Sequence, residues 1–203
     1  MVCGDGGTYG ISFESVGTER VFQERCTHVA GSLQLQFERS LRPYGAVRVV
    51  EKQLTLGYLT GVSDLRALGA LQRINGLQVD TLPQLQSLAG LEQLRLMVDG
   101  GLVFLSNAKL ESLSALRDCE IIGGPLRIAR HDSLRSLDGL QRVSRLSELA
   151  IVGNPLLRDL SGLSGLQRVD GDVEFDRNAS LPRSEIDRFL SRVQVGGQTR
   201  ISP

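Results

Sequence analysis

The sequence predicts a mainly β protein, a leucine-rich-repeat-like solenoid of about six to eight coils with short capping helices at its ends. Two patterns predict this fold. Short alternating segments recur at nearly constant spacing, and leucines placed three residues apart follow most of them. A unit of this length cannot bury its apolar side chains alone, so successive units have to stack and share one core.

The alternating segments predict the strands. They begin at anchor residues spaced 21 to 26 residues apart, namely Leu33, Leu54, Leu77, Leu102, Leu126, Leu149, Val173 and Thr199. Alternation with a period of two is typical of half-buried strands. One such strand in every coil predicts a parallel sheet along the whole solenoid.

The leucines between these segments predict turns. Copies of this second pattern begin at Leu65, Leu85, Leu110, Leu134 and Leu157. Steps of three residues fit short turns or 3₁₀ segments. A small residue before a leucine, such as Gly90, Gly139 or Gly165, lets the backbone form a tight corner. Each coil is therefore predicted to contain a strand, a corner and a second short extended stretch.

The two ends are predicted to differ from the repeats. The parts of this single structural domain are an N-terminal capping segment at 1–30, the repeat solenoid at 31–180, and a C-terminal capping helix with a last strand at 181–203. Apolar residues at helical spacing follow a predicted N-cap, Ser184; they are Ile186, Phe189, Leu190 and Val193. The last strand is expected at 198–201, and a counterpart helix at 18–25.

The composition excludes some partners and leaves the compartment open. The chain has 23 basic and 23 acidic residues, so its net charge gives no reason to expect binding to nucleic acid or to an anionic membrane. No apolar run approaches the roughly 20 residues that span a bilayer. No signal peptide is recognised. A cytosolic protein and a processed exported protein both fit these observations.

The cysteines favour the exported alternative. Cys3 and Cys26 bracket the segment before the repeats, where a disulfide would be worth about 3 kcal/mol by closing a loop. Spacing alone does not establish the connectivity, and three free thiols in a cytosolic chain remain the alternative. Cys119 stands at an apolar position of a repeat, and we interpret it as a small buried hydrophobic residue rather than a nucleophile.

The start of the chain resembles a known family. Val2-Cys3-Gly4 and then Cys26-Thr-His-Val-Ala-Gly-Ser-Leu-Gln-Leu35 look like the opening of the receptor L domains of the insulin and epidermal growth factor receptors. The Ser-Leu-x-[Gly/Ala]-Leu repeats at 87–94, 112–119 and 136–143, and Asn178-Ala-Ser-Leu-Pro182 before a helix, are similar to that family as well. The resemblance covers nearly the whole chain.

The resemblance implies a right-handed parallel β-helix, a disulfide between Cys3 and Cys26, and an extracellular or cell-surface location. It also implies binding through a sheet face. The chain has no Trp and only the first of the cysteine pairs typical of receptor ectodomains. It is therefore similar to the stand-alone L-domain proteins of microbial surfaces at least as much as to an animal receptor.

Residues that could carry chemistry are few. The two histidines, His28 and His131, lie about 100 residues apart, and we interpret His131-Asp132 as a solvated pair in a turn. Of the outward acidic residues, Asp80 lies four coils from Glu174 and Asp176, too far for paired acid and base catalysis. No catalytic, cofactor-binding or metal-binding residue is predicted, and we do not expect an enzyme.

The outward side of the middle strands predicts a binding surface. Its residues are Gln78, Val103, Leu105, Arg127, Ala129, Ala150 and Val152. An apolar patch rimmed by polar residues is typical of a protein-binding surface. A covering loop, or side chains that only stabilise the sheet, would explain the same pattern.

These observations predict a non-catalytic recognition or adhesion module that binds a protein or peptide, or alternatively a glycan, through the long sheet face. The rival interpretation is a structural cell-wall or envelope scaffold, and a carbohydrate-active β-helix enzyme is a remote third. Asn178-Ala-Ser180 is a candidate N-glycosylation sequon. The sequence predicts no cofactor and does not indicate the oligomeric state.

Overall fold

A computed structural model describes residues 2–3, 8–11, 26–38 and 40–202 of the chain. The protein is mainly β, and its described strands are all paired in parallel. The counterpart helix expected at 18–25 lies outside the described residues. Among those described, no helix is both long and apolar enough to cross a bilayer.

The strands are short and recur along the whole described chain. In order they are β1 (Val2–Cys3), β2 (Thr8–Ile11), β3 (His28–Val29), β4 (Ser32–Gln36), β5 (Val49–Gly57), β6 (Arg73–Asp80), β7 (Leu96–Val98), β8 (Leu102–Leu105), β9 (Glu120–Ile122), β10 (Pro125–Ala129), β11 (Val143–Leu146), β12 (Glu148–Val152), β13 (Arg168–Val169), β14 (Val173–Asp176), β15 (Gln194–Val195) and β16 (Thr199–Ile201). They form two sheets. The first contains β1 to β6, β8, β10, β12, β14 and β16, and the second contains β7, β9, β11, β13 and β15.

The predicted anchors stack in register across the first sheet. Leu33 pairs with Leu54, Leu54 with Leu77, and Leu77 with Leu102. The same pairing continues to Thr199 through Leu126, Leu149 and Val173. From Leu33 to Val173 every anchor is buried in one hydrophobic core. The prediction of a parallel sheet with one strand per repeat is confirmed.

The second sheet contains the predicted second extended stretch of the later repeats. Its strands have two to four residues and follow the order β15-β13-β11-β9-β7. In the earlier repeats a single long strand takes the place of the two short ones, with nine residues in β5 and eight in β6. The register between β5 and β6 shifts between Val50 and Gln53. The corner between the two short strands of the later repeats is therefore replaced here by an irregularity within one long strand.

The leucine pattern forms the predicted turns. 3₁₀ segments lie at Arg42–Tyr44, Arg66–Leu68, Ser114–Leu116 and Ser161–Leu163. Two other repeats turn at Gly90 and Gly139, both with φ of +111°. A Cβ atom at Gly90 would lie 2.1 Å from the carbonyl oxygen of Leu65 in the preceding repeat. Glycine is therefore required there both by the backbone conformation and by the close approach of two repeats.

The C-terminal helix is present, but its predicted N-cap is wrong. Helix α1 spans Arg183–Arg192, and its N-cap is Pro182 in an extended conformation, without a side-chain capping bond. Ser184 lies inside the first turn, as the second residue of the helix. Phe189 contacts Phe175 edge to face, with ring centroids 5.6 Å apart. This contact attaches the helix to strand β14.

The cysteines behave as predicted. A disulfide joins Cys3 to Cys26, with Cα atoms 5.9 Å apart, so the alternative of three free thiols is wrong. The bond ties β1 to the residues just before β3. Cys119 is free and buried, and burial raises the pKa of its thiol to about 11. A thiol with so high a pKa carries almost no thiolate at neutral pH.

Four buried polar residues form a ladder beside the first sheet. This polar ladder consists of Asn107, His131, Asn154 and Asn178, each five residues after the anchor of its repeat. The side chain of Asn154 accepts a bond from the backbone N–H of His131 (3.3 Å) and donates to the carbonyl of Ile128 (3.0 Å). Its own backbone N–H donates to Asn178 Oδ1 at 3.0 Å. The ladder therefore satisfies buried backbone groups of adjacent repeats.

Removing the side chain of Asn154 tests the ladder. In Asn154→Ala the buried N–H of His131 and the carbonyl of Ile128 lose their partner, and we expect a loss of about 2 to 4 kcal/mol in the free energy of unfolding. The matched control Asn75→Ala changes an exposed asparagine and should cost less than about 0.5 kcal/mol. Urea unfolding followed by circular dichroism measures both. Equal losses in the two variants would contradict a role for the ladder in stability.

Candidate functional site

The predicted binding residues lie side by side on the first sheet. One row of paired residues crosses five strands and consists of Gln78, Val103, Arg127, Ala150 and Glu174. A second row consists of Asp80, Leu105, Ala129, Val152 and Asp176. All seven residues predicted for the binding surface belong to these two rows. We call the group formed by Val103, Leu105, Arg127, Ala129, Ala150 and Val152 the sheet patch.

The side chains of the sheet patch differ in exposure. Arg127 is exposed, whereas Val103, Leu105 and Val152 are partly exposed. The two alanines are 9% exposed, because larger neighbours in both rows surround their short side chains. The alternate residues of the same strands, such as Phe104, are buried in the core. The strand period thus places the apolar patch on one side of the sheet and the core on the other.

Acidic side chains stand at both ends of the second row and at one end of the first. Asp80 accepts a bond from the hydroxyl of Thr81 at 2.9 Å, and Asp176 accepts one from Arg177 at 2.8 Å. Four strand pairings separate Asp80 from Asp176, which corresponds to about 19 Å. Within the described part of the chain, no three His, Cys, Asp or Glu residues are grouped closely enough to hold a metal ion.

His131 is not a solvated turn residue, and the interpretation of His131-Asp132 as an exposed pair is wrong. The side chain is fully buried in the polar ladder. Its Nε2 lies 3.2 Å from the carbonyl oxygen of Phe104, and its Nδ1 lies 3.1 Å from the carbonyl oxygen and 3.3 Å from the backbone nitrogen of Asn107. A neutral ring with its proton on Nε2 donates to Phe104 and accepts from the N–H of Asn107, whereas a proton on Nδ1 would donate to the carbonyl of Asn107 instead. Burial lowers the pKa of His131 below its usual value.

The candidate glycosylation site is also part of the ladder. Asn178 is only 8% exposed, and its Nδ2 donates to the carbonyl of Ile151 at 2.8 Å. Its Oδ1 accepts the bond from Asn154. A glycan on Nδ2 replaces one of the two amide hydrogens and leaves the other free to donate to Ile151. Asn178 also lines an open depression together with Ala179 and Ile201. Glycosylation of Asn178 stays a prediction.

Sequence reasoning missed one exposed aromatic pair. Phe37 and Tyr58 are 54% and 45% exposed, and their rings stack with centroids 5.1 Å apart and planes within 7°. Both stand four residues after an anchor, where each backbone adopts a positive φ. This conformation repeats at Thr81, Ser106 and Arg130. The aromatic residue type at a recurring turn position was the signal that could have revealed the pair.

The remaining histidine lies on the surface. His28 Nε2 is 2.7 Å from Glu51 Oε1, and both side chains are partly exposed to solvent. The pair joins β3 to the neighbouring strand β5, since Glu51 belongs to β5. An exposed pair of this kind contributes little to stability. Among the described residues, neither histidine belongs to a group that could hold a metal ion.

Comparison with known proteins found no match among protein-family models, curated proteins or solved structures. A role for the sheet patch therefore has to be inferred from its own residues and their placement.

His131 makes the stability of the fold sensitive to acid. Burial lowers the pKa of the imidazole in the folded state. The contribution of neutral His131 to the stability of the fold is therefore complete above the unfolded-state pKa of about 6.5. It is lost as the pH falls below that value, since the unfolded chain then binds a proton that the folded chain resists. In His131→Asn an amide replaces the imidazole in the ladder, and the titratable group is removed. We expect the variant to lose less unfolding free energy than the wild type between pH 7 and pH 5.

The measurement is urea unfolding at several pH values. Between pH 7 and pH 8 the two proteins should show the same pH dependence, which serves as the internal control. An equal loss of stability in both proteins between pH 7 and pH 5 would show that His131 does not resist protonation in the fold.

Proposed function

We propose that this chain is a non-catalytic recognition module that binds a protein or peptide through the sheet patch. The observation that carries the proposal is the in-register pairing of β8, β10 and β12, which brings five apolar side chains together around one exposed arginine. An apolar centre with a polar rim is the usual anatomy of a protein interface. Arginine is also enriched among the residues that dominate binding energy.

The rigid sheet supports this role. The inward side chains of β8, β10 and β12 belong to the hydrophobic core, so the backbone beneath the sheet patch is fixed before a partner arrives. A preorganised surface loses little conformational entropy on binding. The acidic residues Asp80, Glu174 and Asp176 at the ends of the rows favour a partner with basic groups around an apolar centre.

We propose that the two sheets belong to one right-handed parallel β-helix, as in the receptor L domains that the sequence resembles. From β7 to β16 the chain alternates regularly between the second sheet and the first, as one turn per repeat requires. We also propose an extracellular or cell-surface location. The disulfide between Cys3 and Cys26 supports this location, because such bonds persist mainly in oxidising compartments.

Substitution of Leu105 tests the binding role. The wild-type chain is used to select binders from a random peptide display library, and the affinities of the selected peptides are measured by calorimetry. Leu105→Arg and Val152→Arg place a charge inside the sheet patch and should weaken binding by about tenfold or more. Gln72→Arg adds the same charge at an exposed position just before β6 and should leave affinity unchanged. Circular dichroism confirms folding of each variant.

Peptides that bind Leu105→Arg and Val152→Arg as tightly as the wild type would contradict the proposal. A library that yields no binder competing at this surface would do the same.

One observation favours the rival function of a structural envelope scaffold. A depression of about 510 Å³ beside β16 is lined largely by apolar residues, including Phe175, Leu181, Ile186 and Ile201. Assembly through this end would bury those side chains. The scaffold then predicts oligomers in sedimentation experiments that Ile201→Arg dissociates and Leu105→Arg leaves intact. The recognition module predicts that neither substitution changes the sedimentation of the chain.

A further inference from the structure

The second sheet carries two adjacent arginines. Arg145 of β11 and Arg168 of β13 are direct partners in the parallel register. Their side chains are 57% and 52% exposed. Like charges directly opposite each other destabilise a sheet. Their placement therefore needs a compensating group.

Asp170 is that group. Arg145 Nε donates to Asp170 Oδ2 at 2.8 Å, and Arg168 Nε donates to Asp170 Oδ1 at 2.5 Å. These two bonds hold the pKa of Asp170 below its usual value. In the bonds described for them, both guanidinium groups use only Nε. The terminal nitrogens of both arginines can therefore donate to a further acceptor.

The arginines line a shallow depression of about 510 Å³ together with Ser144, Gln167, Arg192 and Gln194. Arg192 is held in place, because its terminal nitrogens donate to backbone carbonyls, including that of Leu163 at 3.0 Å, and its guanidinium lies over the ring of Phe189. Three arginines therefore line the depression, and of these Arg145 and Arg168 bond to Asp170. The whole chain carries no net charge, so this positive charge is a local feature.

We propose that the depression binds a tetrahedral oxyanion, the sulfate or phosphate ester group of a ligand. The terminal nitrogens of Arg145 and Arg168 donate to its oxygens, and the side-chain amides of Gln167 and Gln194 stand at its edge as further donors. The planar guanidinium group matches oxyanions with two parallel bonds. Asp170 fixes both arginines beforehand, which lowers the entropy lost on binding. The site lies in the second sheet and does not depend on the sheet patch.

The alternative is that Asp170 and the two arginines only stabilise the pairing of β11 with β13. A purely structural cluster has no preference for sulfate or phosphate over chloride at equal ionic strength. An oxyanion site saturates with either polyatomic anion. Anion binding measured at constant ionic strength therefore distinguishes a structural cluster from an oxyanion site.

The experiment follows the arginine Nε–H resonances and the backbone amide resonances of β11 and β13 by NMR while sodium sulfate, or sodium phosphate, replaces sodium chloride. The backbone amides remain as a readout in variants that lack the arginines. We expect saturable shifts for Arg145 and Arg168. The double variant Arg145→Gln/Arg168→Gln should bind at least about tenfold more weakly. The control Arg183→Gln removes an exposed charge from α1 and should bind like the wild type. Arg145→Lys keeps the charge and loses the planar fork, and it should also bind more weakly.

Shifts that do not saturate, or equal affinities for the double variant and Arg183→Gln, would overturn the proposal. If the double variant does not fold, the comparison of Arg145→Lys with Arg183→Gln decides in the same way. Titrations with a sulfated disaccharide and with phosphoserine identify the source of the group. Tighter binding of the former assigns a sulfate ester, and tighter binding of the latter assigns a phosphate ester.

Discussion

The constraint on which the structure depends is the return of the chain to the same register in every repeat. Each anchor has to lie beside the previous one after 21 to 26 residues, because only then does its side chain enter the shared core. A slip by one residue would turn every apolar side chain of a strand toward solvent. The outward rows of the first sheet have the same register, because their residues alternate with the buried ones along the same strands. The sheet patch is thus a consequence of the buried anchors on its other side.

The polar ladder reinforces the same register by a different interaction. Apolar contacts tolerate small displacements, whereas a buried amide has to meet its donor and acceptor within hydrogen-bonding distance. Asn107, for example, accepts from the N–H of Leu82 at 2.9 Å and donates to the carbonyl of Val79 at 3.0 Å. A displaced repeat would leave these buried groups unpaired, which is costly in a medium of low polarity. His131 occupies one position of the ladder and brings an ionisable group into it.

The sequence predicted the features that repeat and missed those that depend on contacts between repeats. The anchors, the leucine turns and the burial of Cys119 were predictable because each position has equivalents elsewhere in the chain. The burial of His131 is not evident from a His-Asp dipeptide in a turn, because it depends on Asn107 and Asn154 at the same offset in the neighbouring repeats. The cluster around Asp170 was missed because Arg145 and Arg168 become neighbours only when β11 pairs with β13.

The in-register first sheet is the central claim, and spin-label distances test it most directly. Nitroxide pairs at Gln34 and Arg127, and at Gln34 and Glu174, are separated by four and six strand pairings. The free thiol is removed by Cys119→Ala. Electron–electron resonance should give about 19 Å and about 29 Å, since neighbouring strands lie about 4.8 Å apart. The difference of about 10 Å corresponds to the two additional strand pairings. Two equal distances, or a second distance shorter than the first, would contradict the sheet.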